Sequence, residues 1–247
     1  MNETPTPKSC TYFNFLASHD GVGLRPTEGI LNDRERLNIA DACLERGGFV
    51  NYRHGENGAK LPYELNINYM DALSPSGETD DKRLARMLGA HALLFSMPGI
   101  PAVYVHSLLG SRNWREGAIE SGINRRINRK KMDFDRLSAE LEVQPSLRRS
   151  VLDGLRRLAA ARSSCPALEP EAELRVLGRD THLISYERVN TQSPSENGSH
   201  LLVIVNLIDE VLSWKLDYSA KDLIGGKSYE KGEIQIEGLQ ALYLQKS

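Results

Sequence analysis

Residues 12–24 read YFNFLASHDGVGL. Tyr12, Phe13, Phe15 and Leu16 make a brief apolar run, which Ser18-His19-Asp20-Gly21 ends with two ionisable side chains and a glycine. A run this short and this aromatic reads as a buried strand rather than a helix. Side chains alternate across a strand, so His19 and Asp20 point to different sides unless the chain is already turning there. On the residues alone two readings stay open. Asp-Gly is a common turn dipeptide and Asp often caps a helix, whereas in a barrel of parallel strands the exit from a strand is where active sites are built.

A chain of 247 residues, 40% of them hydrophobic, can bury a real core as one large domain or two modest ones. The formal charge of −2 and a pI near 6.3 supply no field to recruit nucleic acid or an anionic membrane, so neither is expected as a partner. Cys10, Cys43 and Cys165 are odd in number, widely spaced and without CxxC pairing. That pattern suits reduced thiols better than a disulfide framework or a zinc site. The start MNETPTPKSC lacks the apolar core of a secretory signal, and no apolar run approaches the roughly 20 residues that cross a bilayer. A soluble, cytoplasmic chain without a metal or other cofactor is expected.

Periodicity then divides the chain. Residues 31–46 predict a helix with Asn32 as its cap, Glu35 completing a capping box, Leu37, Ala40 and Leu44 on one face, and Gly47-Gly48 ending it. A strand over 49–53 and a turn-rich loop over 54–59 follow. In LPYELNINYMDAL (61–73), Tyr63, Leu65, Ile67 and Tyr69 fall on one alternating face. Residues 80–95 carry Leu84, Met87, Leu88 and His91 or Ala92 on one helical stripe, with His91 read as a buried histidine and not a ligand. The run MPGIPAVYVHSLLG (97–110) reads as a turn, a second strand and a polar exit, so that strand, helix and strand form a βαβ unit and imply a parallel sheet. Residues 137–162 predict a helix interrupted near Pro145, with Val151, Leu152, Leu155, Leu158 and Ala159 as its stripe. Pro166 and Pro170 mark a boundary. Beyond it, short runs at 173–177, 182–188, 200–207, 211–216 and 241–245 predict an antiparallel β-sandwich with HLLVIVNLID as its central strand, and polar residues 190–199 an exposed hairpin.

The basic stretch 110–131 contains NRRINRKK. Acidic neighbours and the absence of interleaved aromatics argue against an RNA patch. One inward-turned arginine binding sugar or phosphate oxygens is the alternative, since a planar guanidinium presents a fork of donors.

Four of these segments carry a resemblance. FNFLASHDG resembles the strand-seven motif of the α-amylase superfamily, glycoside hydrolase family 13, and its continuation SHDGVGLRP is similar to the sucrose phosphorylase branch, in particular to the sugar phosphorylases acting on glucosylglycerate. PYELN resembles the branch's Tyr-Gln segment, with Tyr63 and Glu64 at those positions and Lys60-Leu61 where sucrose-specific members have Leu-Asp. GIPAVY resembles the eighth-strand motif through Gly99, Pro101 and Tyr104, with His106 departing from glycine. NRRINR is similar to a phosphorylase loop whose first arginine, Arg125 here, contacts the bound glucose.

The resemblance implies an α/β chain: the C-terminal part of a (β/α)8 TIM barrel, holding its last two strands with a small inserted subdomain, followed by an antiparallel β-sandwich. The divisions are 1–25 for strand seven and its catalytic loop, 26–75 for the insertion, 76–165 for the rest of the barrel and 166–247 for the β domain. It implies reversible transfer of an α-glucosyl group from a glucosylglycerate-like glucoside, or sucrose, to inorganic phosphate, giving glucose 1-phosphate. Asp20 takes the place of the carboxylate beneath the ring, His19 and Arg125 hold glucose, and Tyr63 and Glu64 line the acceptor side. Phosphate is a co-substrate and no cofactor is implied. The family's nucleophile and acid/base precede the HD motif, and only eighteen residues precede His19 here. Neither carboxylate therefore has a counterpart, and the chain is expected to be inactive alone. The partners implied are a small glucoside, phosphate, and the remaining N-terminal part of the enzyme or a second copy. The alternatives are a non-catalytic carbohydrate-binding or regulatory fragment, for which Trp214 and Tyr218 are the aromatic pair to watch, or an α-glucoside hydrolase of the same family.

Overall fold

The computed structural model describes residues 9–55, 58–143, 146–178, 181–192 and 199–247. In chain order the strands and helices are β1 (Phe13–Asn14), β2 (Val22–Gly23), α1 (Asp33–Glu45), β3 (Phe49–His54), β4 (Lys60–Asn66), α2 (Tyr69–Leu73), α3 (Asp80–Ser96), β5 (Ile100–Pro101), α4 (Val105–Leu108), α5 (Arg115–Ser121), α6 (Phe134–Glu142), α7 (Leu147–Ser164), β6 (Glu173–Val176), β7 (Leu183–Val189), β8 (His200–Asn206), β9 (Leu212–Leu216), β10 (Ala220–Asp222), β11 (Ser228–Tyr229), β12 (Gly232–Ile236) and β13 (Ala241–Lys246). They form two compact units, one of Met1–Asn14, Leu88–Ala102 and Asp153–Ser247, the other of Phe15–Met87 and Val103–Leu152. Among the described residues no helix is long and apolar enough to cross a membrane.

In the first unit β1 and β5 pair in parallel, Phe13 with Ile100 and Asn14 with Pro101, as the βαβ reading requires. Gly99 permits the approach: its φ is +98°, and a Cβ there would stand 2.5 Å from the Tyr12 carbonyl oxygen. Two expectations fail here. The run at 12–16 is not buried, since Tyr12 is 51% and Phe13 66% exposed. Among the described residues β1 has a strand partner on one side only, so its aromatic side chains are not enclosed. The second strand is also shorter than its apolar run: Pro101 has no N–H to donate, Ala102 makes one further bond to the Asn14 carbonyl, and the chain turns into α4.

The rest of that unit is antiparallel β structure, a six-stranded sheet in the order β11-β10-β13-β8-β7-β6 and a two-stranded β12-β9 pair. Both contribute to one core, including Leu202, Ile204, Leu216, Ile234, Ile236, Leu242 and Leu244. β8 lies between β13 and β7, the central place expected for HLLVIVNLID. β10, β11 and β12 escape the sequence reading because they are short and broken by Gly225, Gly226 and Gly232. Trp214 and Tyr218 pack against the core, so the pair is not an open aromatic platform. The hairpin expected at 190–199 falls at 193–198 outside the described residues.

Two arginines close the end of α3. Arg188, fully buried, donates to the carbonyls of Ser96, Glu169 and Ala172, and Arg162 to those of Phe95, Met97 and Gly99. The last carbonyls of a helix lack intrahelical partners and attract cations. Burial, and then Arg162 beside it, press Arg188 down to about 10.

In the second unit β2, β4 and β3 form an antiparallel sheet in that order. α1 begins with the full capping box: Glu35 N–H donates to Asn32 Oδ1 at 3.0 Å and Asn32 N–H to Glu35 Oε2 at 2.8 Å. Its buried face is Arg36, Ala40 and Cys43, not the Leu37–Ala40–Leu44 face expected; Leu37 and Leu44 are exposed. The difference is a rotation of one position: Ala40 and Cys43 pack with Val50, Leu65 and Ile67, and Arg36 pairs with Glu28 and Asp33. The helix predicted over 137–162 is α6 and α7, flanking residues 144–145, where the expected break lies outside the described residues. The loop at 54–59 likewise includes undescribed residues 56–57.

Candidate functional site

The second unit gathers most of the residues singled out above around the turn Ser18–Gly21. Ser18 and Gly21 exchange backbone hydrogen bonds of 3.0 and 3.1 Å, and the Asp20 N–H donates to Ser18 Oγ at 3.2 Å. The strand run therefore ends in a closed turn, after which the chain enters the β2-β4-β3 sheet as β2. Gly21 has φ +113°, and a Cβ would stand 2.0 Å from the Leu65 carbonyl oxygen, so only glycine lets the turn lie against β4.

Three side chains from distant segments hold the turn's carbonyls. Asn128 Nδ2 donates to Ser18 O at 3.1 Å, Arg129 Nε to His19 O at 2.7 Å, and Asn66 Nδ2 to Asp20 O at 2.8 Å. Asn66 and Asn128 are buried. The segment bearing Arg125 and Arg129 is itself tied down. Asn68 Nδ2 donates to Ile127 O and Arg112 O, Trp114 N–H to Ile127 O, and the Asp71 carboxylate accepts from Arg112 and from the Asn113 N–H. Tyr104 O–H donates to Asn128 O at 2.8 Å.

The fixed backbone presents a charged cluster. Asp20 Oδ1 accepts from Arg129 Nη2 at 2.6 Å and lies 3.2 Å from Arg125 Nη1 and 3.5 Å from His19 Nε2. The Asp20 side chain stays 34% exposed and His19 67% exposed. On β4, alternation sends Leu65 into the core and Glu64 and Asn66 to the polar side. Glu64 binds Arg125 through both oxygens, Oε1 from Nε at 2.9 Å and Oε2 from Nη2 at 2.6 Å, and Oε1 also accepts from Asn51 and Asn66. Burial pushes the Glu64 carboxyl up, but the hydrogen bonds from Arg125, Asn66 and Asn51 and the charge of Arg125 outweigh it and hold Glu64 below its ordinary range. Arg125 is held above its ordinary value by Glu64 first, with Asp20 and Tyr63 adding to it. Tyr63 is half-buried, and its carbonyl accepts from the Leu24 N–H.

His19, Asp20, Arg125 and Glu64 are thus linked in series, His19 to Asp20, Asp20 to Arg125 and Arg125 to Glu64, with Tyr63 near enough to Arg125 to act on its charge. A carboxylate fixed between guanidinium groups and still open to solvent can face a developing positive charge. Arg129, Asn66 and Asn128 were not singled out by sequence reasoning. Arg129 lies in the basic stretch NRRINRKK and is ion-paired to Asp20 itself. Its spacing from Arg125, one helical turn, was the available signal. Arg126 lies over the Trp114 ring at 5.5 Å.

No family model matches the chain. It is 35% identical over 245 residues to the glucosylglycerate phosphorylase of Escherichia coli (strain K12), covering 99% of this chain and 43% of that protein. To the glucosylglycerate phosphorylase of Spirochaeta thermophila it is 44% identical over 167 residues, 68% of this chain and 28% of that one. Among solved structures, that of sucrose 6F-phosphate phosphorylase from Thermoanaerobacter thermosaccharolyticum superposes with a TM-score of 0.62 at 21% identity, over 79% of this chain and 36% of that chain. The likeness at that identity is one of fold. The chain spans less than half the length of these curated relatives.

Proposed function

The chain belongs to the sugar-phosphorylase branch of glycoside hydrolase family 13, the α-amylase superfamily, and from that premise we propose that it carries the glucose-steadying part of a glycoside phosphorylase's active site. The reaction breaks the bond from the anomeric carbon to the acceptor oxygen and forms one to a phosphate oxygen, with the proton passing to the departing acceptor. Its transition state resembles an oxocarbenium ion. Asp20 faces that charge from beneath the ring; His19 and Arg125 bind glucose hydroxyls, and Tyr63 lies on the acceptor side. The parallel β1–β5 pair corresponds, in this reading, to the last two strands of a (β/α)8 barrel with residues 26–75 as an insertion, and the antiparallel β structure to the domain that follows.

The observation that carries the reading is the convergence on Asp20 of residues 46 to 109 positions away, with Arg125 at 3.2 Å and Arg129 at 2.6 Å, at a side chain that remains open to solvent. We assign the nucleophile and acid/base to the portion of the relatives' length that this chain does not span. A glucosylglycerate-like substrate is favoured over sucrose by PYELN and by Lys60-Leu61 in place of Leu-Asp. The test is phosphorolysis of glucosylglycerate and sucrose by the chain alone and with the N-terminal part of a relative added. Glucose 1-phosphate only on complementation, and faster from glucosylglycerate, is expected. Glucose 1-phosphate from the chain alone refutes the assignment of the missing carboxylates, free glucose in its place points to the hydrolase, and neither product in any combination sinks the phosphorylase reading.

A further inference from the structure

We propose that Glu64 is a positioning residue and not a substrate ligand: its carboxylate occupies two nitrogens of Arg125 and so sets the third, Nη1, against Asp20. The inference rests on the reading of Asp20 just given, and replaces the acceptor-side role that the resemblance implies for Glu64.

The argument is one of capacity. Two carboxylate oxygens offer about four lone-pair sites. Oε1 takes three donors, Asn51 Nδ2 at 3.0 Å, Asn66 Nδ2 at 2.7 Å and Arg125 Nε at 2.9 Å, and Oε2 takes Arg125 Nη2 at 2.6 Å. The side chain is only 10% exposed. One lone pair of Oε2 is left without a donor, and the burial of the side chain keeps a sugar hydroxyl from reaching it freely. Arg125 is equally committed, since a two-point contact fixes the plane of a guanidinium as well as its distance. With Nε and Nη2 on Glu64, Nη1 is directed to Asp20 at 3.2 Å.

The choice of glutamate has a chemical consequence. A glutamine side chain has one acceptor oxygen, and its NH2 group would face the donors of Arg125. Such a substitution keeps at most one bond of the fork and removes the charge that balances Arg125. The guanidinium would then be available to an outside anion. Glu64 thus keeps Arg125 on Asp20 and screens it from phosphate, leaving Arg129 as the other guanidinium on the carboxylate.

The experiment follows the Arg125 Nε–Hε resonance of the 15N-labelled full chain, assigned by its loss in Arg125→Lys. In the wild type this signal should stay unmoved by millimolar inorganic phosphate. In Glu64→Gln it should shift on mutation and then titrate with phosphate at an affinity about tenfold above wild type, the scale of one charge-assisted bond released. Glu64→Asp, which keeps the charge, should hold phosphate affinity nearer wild type than Glu64→Gln does. An unchanged Arg125 signal in Glu64→Gln, or equal phosphate titration in both proteins, overturns the proposal. A measurement free of variants backs it: on acidifying the wild type, the Arg125 signal must move as Glu64 takes up its proton, and a signal that stays in place overturns the proposal too. Neither readout needs turnover, so a chain that fails every phosphorolysis assay yet shows this response sinks the phosphorylase reading alone.

Discussion

Replacing Gly21 by alanine tests the placement of the site most directly. The backbone there has φ +113°, a conformation costing a non-glycine residue about 1–2 kcal/mol. The added methyl would also lie 2.0 Å from the Leu65 carbonyl oxygen and 3.0 Å from its carbon, both rigid backbone atoms of β4. Relief requires the turn and β4 to part by roughly 1 Å, past the 3.5–4.0 Å optimum of non-bonded contacts only in part. That movement strains the pairings of Val22 with Leu65 and of Gly23 with Glu64, and the Asn66 bond to the Asp20 carbonyl, each worth about 0.5–1.5 kcal/mol. The sum is about 2.5–6.5 kcal/mol. Urea unfolding followed by circular dichroism should show a midpoint lowered accordingly, at unchanged slope. A loss under about 1 kcal/mol would mean that the turn is not pressed against β4, and the placement of Asp20 beside Arg125 and Arg129 would fall with it.

Other outcomes follow from the same geometry. Asn32→Ala removes the capping box of α1 and should cost about 1 kcal/mol in urea unfolding. Glu64 is held below its ordinary pKa in the folded chain, so its contribution is present above its unfolded value of about 4.3 and is lost as pH falls through the lower folded value. The wild-type urea midpoint should therefore drop more steeply below about pH 4.5 than that of Glu64→Gln, and parallel curves would refute the assignment. Arg188→Met leaves the carbonyls of Ser96, Glu169 and Ala172 without their donor and should cost about 3 kcal/mol by urea unfolding; a neutral result would show that the end of α3 is closed by other means.

What the sequence disclosed depended on how local the signal was. The capping box of α1, the parallel pairing of the two apolar runs and the centrality of HLLVIVNLID rest on neighbours three or four residues apart or on a βαβ rule, and all are present. The buried face of α1 was misjudged because Leu37 and Leu44 outrank Arg36 in hydropathy, while the structure buries Arg36 against two carboxylates. The run at 12–16 was taken as enclosed because aromatic composition reports burial only when partners exist on both sides. At the site, Asp20, Glu64 and Arg125 were legible through motif resemblance. Asn66, Asn128 and Arg129 were not, since each holds a backbone carbonyl of the turn, and a carbonyl leaves no mark in the sequence.

The same contacts limit where a sugar ring can benefit from Asp20. Asp20 and Glu64 against Arg125 and Arg129 sum to no net charge, so from far away the cluster offers a cation nothing. Close to, the balance differs. A unit positive charge about 4 Å from the Asp20 carboxylate gains roughly 4 kcal/mol at an effective dielectric of about 20. Arg129 stands 2.6 Å beyond that oxygen. For a ring on the opposite side it acts from about 6.6 Å and takes back roughly 2.5 kcal/mol, and Arg125 at 3.2 Å, acting from about 7.2 Å, would take back roughly 2.3 kcal/mol more, exceeding what is left unless Glu64 offsets it. The fork between Glu64 and Arg125 therefore does more than hold a side chain. It cancels the guanidinium that would otherwise extinguish the field of Asp20, so that a net attraction of about 1–2 kcal/mol survives within a few ångströms of the carboxylate, on the side away from the arginines.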